Sequence, residues 1–246
     1  MKRVKKSREE PAALSEYRLR FARQASPPSW KSFAKNRKRR DAVANQMLKD
    51  QKGLCAYCEI NLSSRDNTVE HFVPRTQSTR TNNWDLKWDN LLLCCSGGND
   101  KRLFEDPERF TQPADDLRSC GSAKYDFSEV SEILNPLSVP AFPCLFRFRS
   151  EDGSIVPDAK NCDEAGFPVE RVKKIIDLLG LRAPRLCRNR LKRIQQLTRD
   201  CDTSPEAEVA RDYFSPTQDW PAYFTTYRWF LGAAAESQLR NIAYDG

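Results

Sequence analysis

Histidine is all but missing from this chain: His71 stands alone in 246 residues. Imidazole chemistry, if there is any, must pass through that one position. Also missing is any run of 18 or more apolar residues, which excludes an ordinary membrane-spanning helix. The N-terminal stretch MKRVKKSREEPAAL is basic but has no apolar segment behind it, so it does not read as a secretory leader. Nine cysteines, an odd number, in a chain without such a leader argue against a disulfide framework. There is no internal repeat and no long low-complexity segment. These absences lead to the expectation of a soluble, cytoplasmic, globular protein. With 39% hydrophobic residues, 13 Phe and 5 Trp, it has enough apolar side chain for a core.

Charge is present but unevenly placed. Residues 1–52 hold 16 Lys/Arg against 5 Asp/Glu, a local charge of +11, so the remainder carries −4 of a formal total of +7. A basic segment on a mildly acidic body suits phosphate binding, and a solvated basic arm would look the same. A short helix is predicted over 14–24 and a second helix from about Trp30 to Lys52, separated by Ser26-Pro27-Pro28. From Gly53 to about Tyr125 the sequence is polar, turn-rich and cysteine-bearing, with Asn90-Leu91-Leu92-Leu93 suited to a brief strand. CLFRFRSEDGSIVPD reads as a β-hairpin turning at Glu151-Asp152-Gly153. Beyond it Val172, Ile175, Ile176 and Leu179 recur at helical spacing before Gly180, and Leu191, Ile194 and Leu197 continue the period past Pro184.

Five cysteines, Cys55, Cys58, Cys94, Cys95 and Cys120, fall in one 66-residue stretch around the histidine. Cys55-Ala56-Tyr57-Cys58 is a C-x-x-C knuckle, whose thiolates can grip one tetrahedral Zn²⁺ if two more ligands come from elsewhere. Cys95 and Cys120 are the natural second pair, with Cys94 competing for the third position. A redox C-x-x-C of thioredoxin type would need a preceding apolar strand and an opening helix, and neither is present. The scattered Cys144, Cys162, Cys187 and Cys201 read as buried small hydrophobes.

His71 lies between the two halves of this candidate zinc site, beside Glu70 and nineteen positions before Asn90. A carboxylate next to an imidazole, followed by an amide ahead of a cysteine-bearing segment, is the order of an HNH (ββα-metal) nuclease. Imidazole, with an ordinary pKa near ~6.5, suits removal of a proton from an attacking water. A hard divalent cation held by the carboxylate would stabilise the phosphorane and the leaving oxygen. Asn90 would either coordinate that cation or hold the histidine-bearing loop in place. A non-catalytic zinc-knuckle binding module, with His71 structural, is the rival reading.

The stretches GLCAYCEINL, VEHFVPR, WDNLLLCCSGG, CGSAK and ILNPL together resemble the HNH nuclease subunit of Septu anti-phage systems, the PtuB family, relatives of which accompany some retrons. The resemblance covers roughly residues 50–200. It implies an endonuclease acting on DNA or RNA, tRNA included, alongside an SMC/ABC-like ATPase (PtuA), and in retron settings a reverse transcriptase with its RNA/DNA. It implies His71 as general base, Glu70 as the acidic neighbour of a catalytic Mg²⁺ or Mn²⁺, Asn90 as the middle HNH residue, and Cys55, Cys58, Cys95 and Cys120 as ligands of a structural Zn²⁺. The third HNH residue departs from the pattern. Asn99 follows Cys95 by four positions, but Gly98 stands where a cysteine would; if Cys120 closes the zinc site, Asp126 becomes the expected oxygen ligand.

The flanks supply candidate contacts. Lys35, Arg37, Lys38, Arg39 and Arg40, with Trp30 and Phe33 nearby for stacking, could track a phosphate backbone. Arg182, Arg185, Arg188, Arg190, Lys192 and Arg193 form a second cationic run. Trp220, Tyr223, Phe224, Tyr227 and Phe230 or Leu231 make an aromatic stripe that reads first as core and second as a partner-binding face. The expected architecture is α+β: a basic helical N-terminal arm over 1–52, a zinc-stapled ββα-metal nuclease domain over 53–160, and a helical C-terminal region over 161–246 that is the candidate partner interface.

Overall fold

A computed structural model describes residues 1–22, 28–79, 81–111, 117–124 and 133–246. The N-terminal helices are α1 (Ala12–Phe21), α2 (Trp30–Phe33) and α3 (Arg37–Asp50). The single helix expected from Trp30 to Lys52 is therefore divided. The cause is local: the Asn36 side chain accepts the Arg39 N–H at 3.1 Å and caps a new helix, as Ser29 caps α2 by accepting the Ser32 N–H.

Strand β1 (Thr68–His71) pairs antiparallel with β2 (Leu91–Cys94), Glu70 opposite Leu92 and His71 opposite Leu91. All four residues of β2 are buried because both faces of this hairpin are covered. Leu91 and Leu93 pack with Leu14, Phe33, Val43 and Met47 of α1–α3, whereas Leu92 and Cys94 join the core that contains the knuckle cysteines. A residue that alternates along β1 thus meets a different environment at each step, and Glu70 and His71 leave the strand on opposite faces. Gln51, just past α3, fixes the hairpin to that helix: its amide donates to the Leu54 and Leu93 carbonyls and accepts the Leu93 N–H, all within 2.8 Å.

After Cys120 comes one helical turn, α4 (Gly121–Lys124), and then the second antiparallel pair, β3 (Phe146–Phe148) with β4 (Ile155–Pro157). This is the expected hairpin, its turn closed by Asp152 accepting the Ser154 N–H at 2.8 Å. The remaining helices are α5 (Ala159–Glu164), α6 (Val169–Leu178), α7 (Pro184–Thr203), α8 (Glu206–Tyr213), α9 (Phe224–Phe230) and α10 (Gly232–Asn241). Val172, Ile175, Ile176 and Leu179 are fully buried, and α6 stops where Gly180 turns left-handed and Leu181 N–H reaches back to the Ile176 carbonyl at 2.9 Å.

The C-terminal helices have their own core, built on Leu197, Phe214, Trp220, Phe224, Tyr227 and Leu239. The aromatic stripe lies inside it or against it: Trp220, Tyr223, Phe224, Tyr227 and Leu231 are buried, as the core reading expects, and Phe230 is half-buried. Helical spacing also applies only from Phe224 onward, since Tyr223 sits in the left-handed region ahead of α9. No helix of the described residues is long and apolar enough to cross a membrane.

Candidate functional site

The knuckle is built by its backbone. Cys55 N–H donates to the Ile60 carbonyl at 2.9 Å and Glu59 N–H to the Cys55 carbonyl at 3.1 Å, folding Cys55 and Cys58 to one side of a tight turn. Cys95 follows directly on β2, and its N–H points at Cys55 Sγ, 3.3 Å away. Cys120 is itself in the left-handed region, and its N–H donates to the Leu179 carbonyl at 2.8 Å. The approach of the two late segments requires glycine at position 97, where a Cβ would stand 2.3 Å from the Ser119 carbonyl oxygen.

The result is a buried group of four sulfurs, Cys55, Cys58, Cys95 and Cys120, all within 4.8 Å of one another. Cys55–Cys120 is 3.8 Å, and Cys58–Cys95 and Cys95–Cys120 are each 3.6 Å. Four thiolates at about 2.3 Å from a tetrahedral Zn²⁺ stand about 3.8 Å apart, so the donor set and its dimensions fit a structural zinc. Cys94 is buried but stands outside this group, on the wall of a neighbouring cavity.

Arg185 covers the cluster. Its Nη2 donates to Ser119 Oγ at 2.5 Å, and the side chain is among the most deeply buried in the protein. Burial opposes its charge, but the thiolates of Cys95, Cys58 and Cys120 outweigh that and hold the guanidinium protonated more firmly than usual. The second cationic run is therefore divided: Arg185 and Arg190 point inward, whereas Arg182, Arg188 and Lys192 are exposed.

His71 closes β1 with its ring on the face toward α2, edge-on to Trp30 at 6.0 Å between centroids. Nε2 lies 2.9 Å from the backbone carbonyl of Asp85 and 3.2 Å from that residue's Oδ1. A carbonyl only accepts, so Nε2 carries the hydrogen, and in the neutral ring the lone pair is on Nδ1. Burial pushes the Asp85 carboxyl up, yet bonds from His71 and the Trp30 N–H, the latter 2.9 Å long, outweigh it and hold the group below its ordinary range. Trp30 and Phe33, expected as stacking platforms, are buried around this site.

Asn90 staples the loop that follows His71. Its Oδ1 accepts Val73 N–H at 2.7 Å, and its Nδ2 donates to the carbonyls of Val73 and Trp84 at 3.0 and 2.7 Å. On the opposite face of β1, Glu70 Oε1 receives the Lys124 ammonium at 2.6 Å, while the same ammonium caps the His71 carbonyl, also at 2.6 Å. Oε2 of Glu70 lies against Gly121, where a Cβ would come within 2.6 Å of it. Glu70, Cys94, Ser96, Asn99 and Asp100 share the wall of a cavity of about 370 Å³ there. Asp126 lies outside the described residues.

One curated protein of Escherichia coli, named "Retron Ec83 putative HNH endonuclease", is 30% identical to this chain over 78% of the length of each. The chain belongs to the HNH endonuclease family. No family model matches it, and no solved structure does.

As a member of the HNH endonuclease family the chain also carries features that its motifs did not disclose. Lys124 and Arg185 sit 53 and 66 positions from the His71 and Ser119 atoms they bind, so no local pattern marked them. Of the expected phosphate-binding set, Lys35 is exposed just ahead of α3, Arg37, Lys38 and Arg40 are exposed on its start, and Arg39 is half-buried with its guanidinium 4.9 Å from the Tyr17 ring. Arg37 and Arg40 both pair with Asp41.

Proposed function

We propose that this HNH-family chain is a metal-dependent endonuclease that hydrolyses phosphodiester bonds of DNA or RNA, with His71 as general base. The observation that carries the reading is the bond from His71 Nε2 to the Asp85 carbonyl, 2.9 Å long. In the neutral ring that bond favours the tautomer with its lone pair on Nδ1, the nitrogen that would take the proton from water. Glu70 is the acidic neighbour, its Oε2 left open by Lys124 and given room by Gly121. A hard divalent ion, Mg²⁺ or Mn²⁺, would be held at Glu70 and when bound would supply Lewis-acid stabilisation of the charge developing at phosphorus and the leaving oxygen. Of the two candidates for a further oxygen ligand, Asn99 shares the Glu70 cavity. Asp126 remains an expectation from the resemblance.

Asn90 takes the second of its two expected roles, because its amide is already committed at both ends to the loop carrying His71. His71 ends β1, where the two faces of the hairpin meet at the edge of the sheet. The four-thiolate zinc centre is structural: it holds β2, the knuckle and α4 in the register that places Glu70.

The resemblance to PtuB and the retron in the relative's name support a place in an anti-phage complex with an SMC/ABC-like ATPase (PtuA), in which a retron reverse transcriptase and its RNA/DNA are further partners. The test is to incubate the zinc-loaded chain, with and without that ATPase, with mixed cellular DNA and RNA. Cutting that is lost in His71→Ala while zinc content is unchanged supports the proposal. Neither pool being cut by the complete complex, or zinc and fold lost together with His71, points instead to a binding module.

A further inference from the structure

A second cavity, of about 500 Å³, opens beside the loop that Asn90 staples. One wall is Phe72, Val73 and Trp84, from the segments just after His71 and just before Asp85. The rim is cationic: Arg3, Lys5 and Lys6 come from the N-terminal segment and Lys87 from the loop, against the single carboxylate of Asp89.

These cations are placed by structure rather than scattered by composition. The N-terminal segment is pinned by Val4 N–H to the Pro136 carbonyl at 3.0 Å. Lys6 Nζ donates to the Trp88 carbonyl at 2.7 Å and stands 3.4 Å from that indole's centroid. Lys87 is exposed, with its ammonium 4.3 Å from the Trp84 centroid. The Arg3 Nε–H is buried and meets no acceptor among the described residues. Lys5 is exposed and paired with Asp245.

Fixed cations on the rim, a half-buried indole and an apolar floor are what one nucleotide of a nucleic-acid strand needs: charge for the phosphate and a flat face for the base. The volume lies in the range of pockets that enclose small ligands, about 300–1,000 Å³. Its position matters as much. The Trp84 carbonyl accepts from Asn90 and the next carbonyl, that of Asp85, accepts from His71, so the wall is continuous with the support of the imidazole.

We propose that this cavity binds one nucleotide of the strand adjoining the scissile bond, its phosphate on Arg3 and Lys87 and its base against Trp84. The proposal rests on the nuclease reading of His71. Burial, outweighing the attraction of Asp50 and Asp89, brings Lys6 down to about 7. An incoming phosphate would restore its charge.

The test uses the zinc-loaded full chain carrying His71→Ala, so that bound strands are not cut, and labelled 12-nucleotide single-stranded DNA and RNA read by fluorescence anisotropy over a salt series. Arg3→Glu with Lys87→Glu is expected to weaken binding of at least one of them tenfold or more. It should also flatten the salt dependence by about 0.7 for each phosphate that is no longer neutralised. Trp84→Ala should weaken binding while leaving the salt slope unchanged, and Lys160→Glu, exposed on α5, should alter neither. Affinity and slope unchanged in the first two variants with the fold intact by circular dichroism, or no binding by the His71→Ala chain itself, overturns the site. Cleavage is scored separately with His71 present: a chain that binds through this cavity but never cuts sinks the nuclease reading and not the cavity.

Discussion

Lys124 Nζ lies 2.6 Å from Glu70 Oε1, and the ammonium that makes this bond is almost wholly buried. Because Lys124 follows Cys120 by one helical turn, the pair joins the four-sulfur centre to the end of β1. Lys124→Met would leave the Glu70 carboxylate and the His71 carbonyl without their shared donor. Removing one partner of such a buried pair costs about 3 kcal/mol. A lower urea midpoint, partly restored by Lys124→Arg, is the expected result, and an unchanged midpoint would show that the ion pair contributes nothing.

The sulfur centre itself should decide whether the middle of the chain folds. Elemental analysis is expected to give one zinc per chain, and chelation should abolish the near-ultraviolet dichroism of the surrounding core, since the metal's binding energy is folding energy for such a segment. Cys120→Ser should lose the ion. Cys94→Ala, outside the group of four, should keep it.

Arg185 gives a separate handle on the same centre. Four thiolates around a divalent ion leave net negative charge in a buried place, and the guanidinium of Arg185 offsets it. Arg185→Met should release zinc to a chelator at least tenfold faster than the parent protein. Release at the parent rate would mean that the centre does not depend on this cation.

How much of this was readable beforehand follows from the range of each interaction. The knuckle spacing and the later cysteines marked out the group whose sulfurs converge, with Cys94 left competing for the place that Cys95 takes, because ligand chemistry constrains residue type and spacing but does not distinguish adjacent cysteines. The hairpin over Phe146–Pro157 was legible from alternation and a turn triplet, both local signals. By contrast, the division of α2 from α3 turned on whether Asn36 would cap a new helix or continue the old one, a contest between local bonds of similar strength. Arg185 and Arg190 could be read only as members of a cationic run because sequence shows charge but not the buried sulfurs and rings that receive it. Trp30 and Phe33 looked available for stacking because their partners, His71 and Tyr17, approach only in the folded chain.

Asn90 should separate loop support from metal binding. In Asn90→Ala the Val73 N–H loses its acceptor and the Val73 and Trp84 carbonyls lose their donor, all close to His71. Unsatisfied buried groups cost about 1–3 kcal/mol each. The variant is expected to lose both stability and cleavage while retaining zinc, and added Mn²⁺ should not restore cleavage. Restoration by Mn²⁺ would assign Asn90 to the ion instead.

Lys6 makes a prediction about pH whose sign is fixed by linkage. Its folded value of about 7 lies below its ordinary 10.5 because burial penalises the ammonium more than Asp50 and Asp89 favour it. Between these two values the unfolded chain binds a proton that the folded chain does not, so this residue makes stability rise with pH across that window. Below pH 7 both states are protonated and the slope vanishes. Lys6→Met removes the group, so the unfolding free energy of the parent minus that of the variant should climb from pH 7 to pH 9 by up to ~1.4 kcal/mol per unit. Lys2, lowered by burial to about 8, titrates in the same direction but is present in both proteins and cancels in the difference. Urea denaturation of the pair at pH 6, 7, 8 and 9 tests this; a difference that stays flat from 7 to 9, or falls, would show that Lys6 keeps its proton in the folded protein.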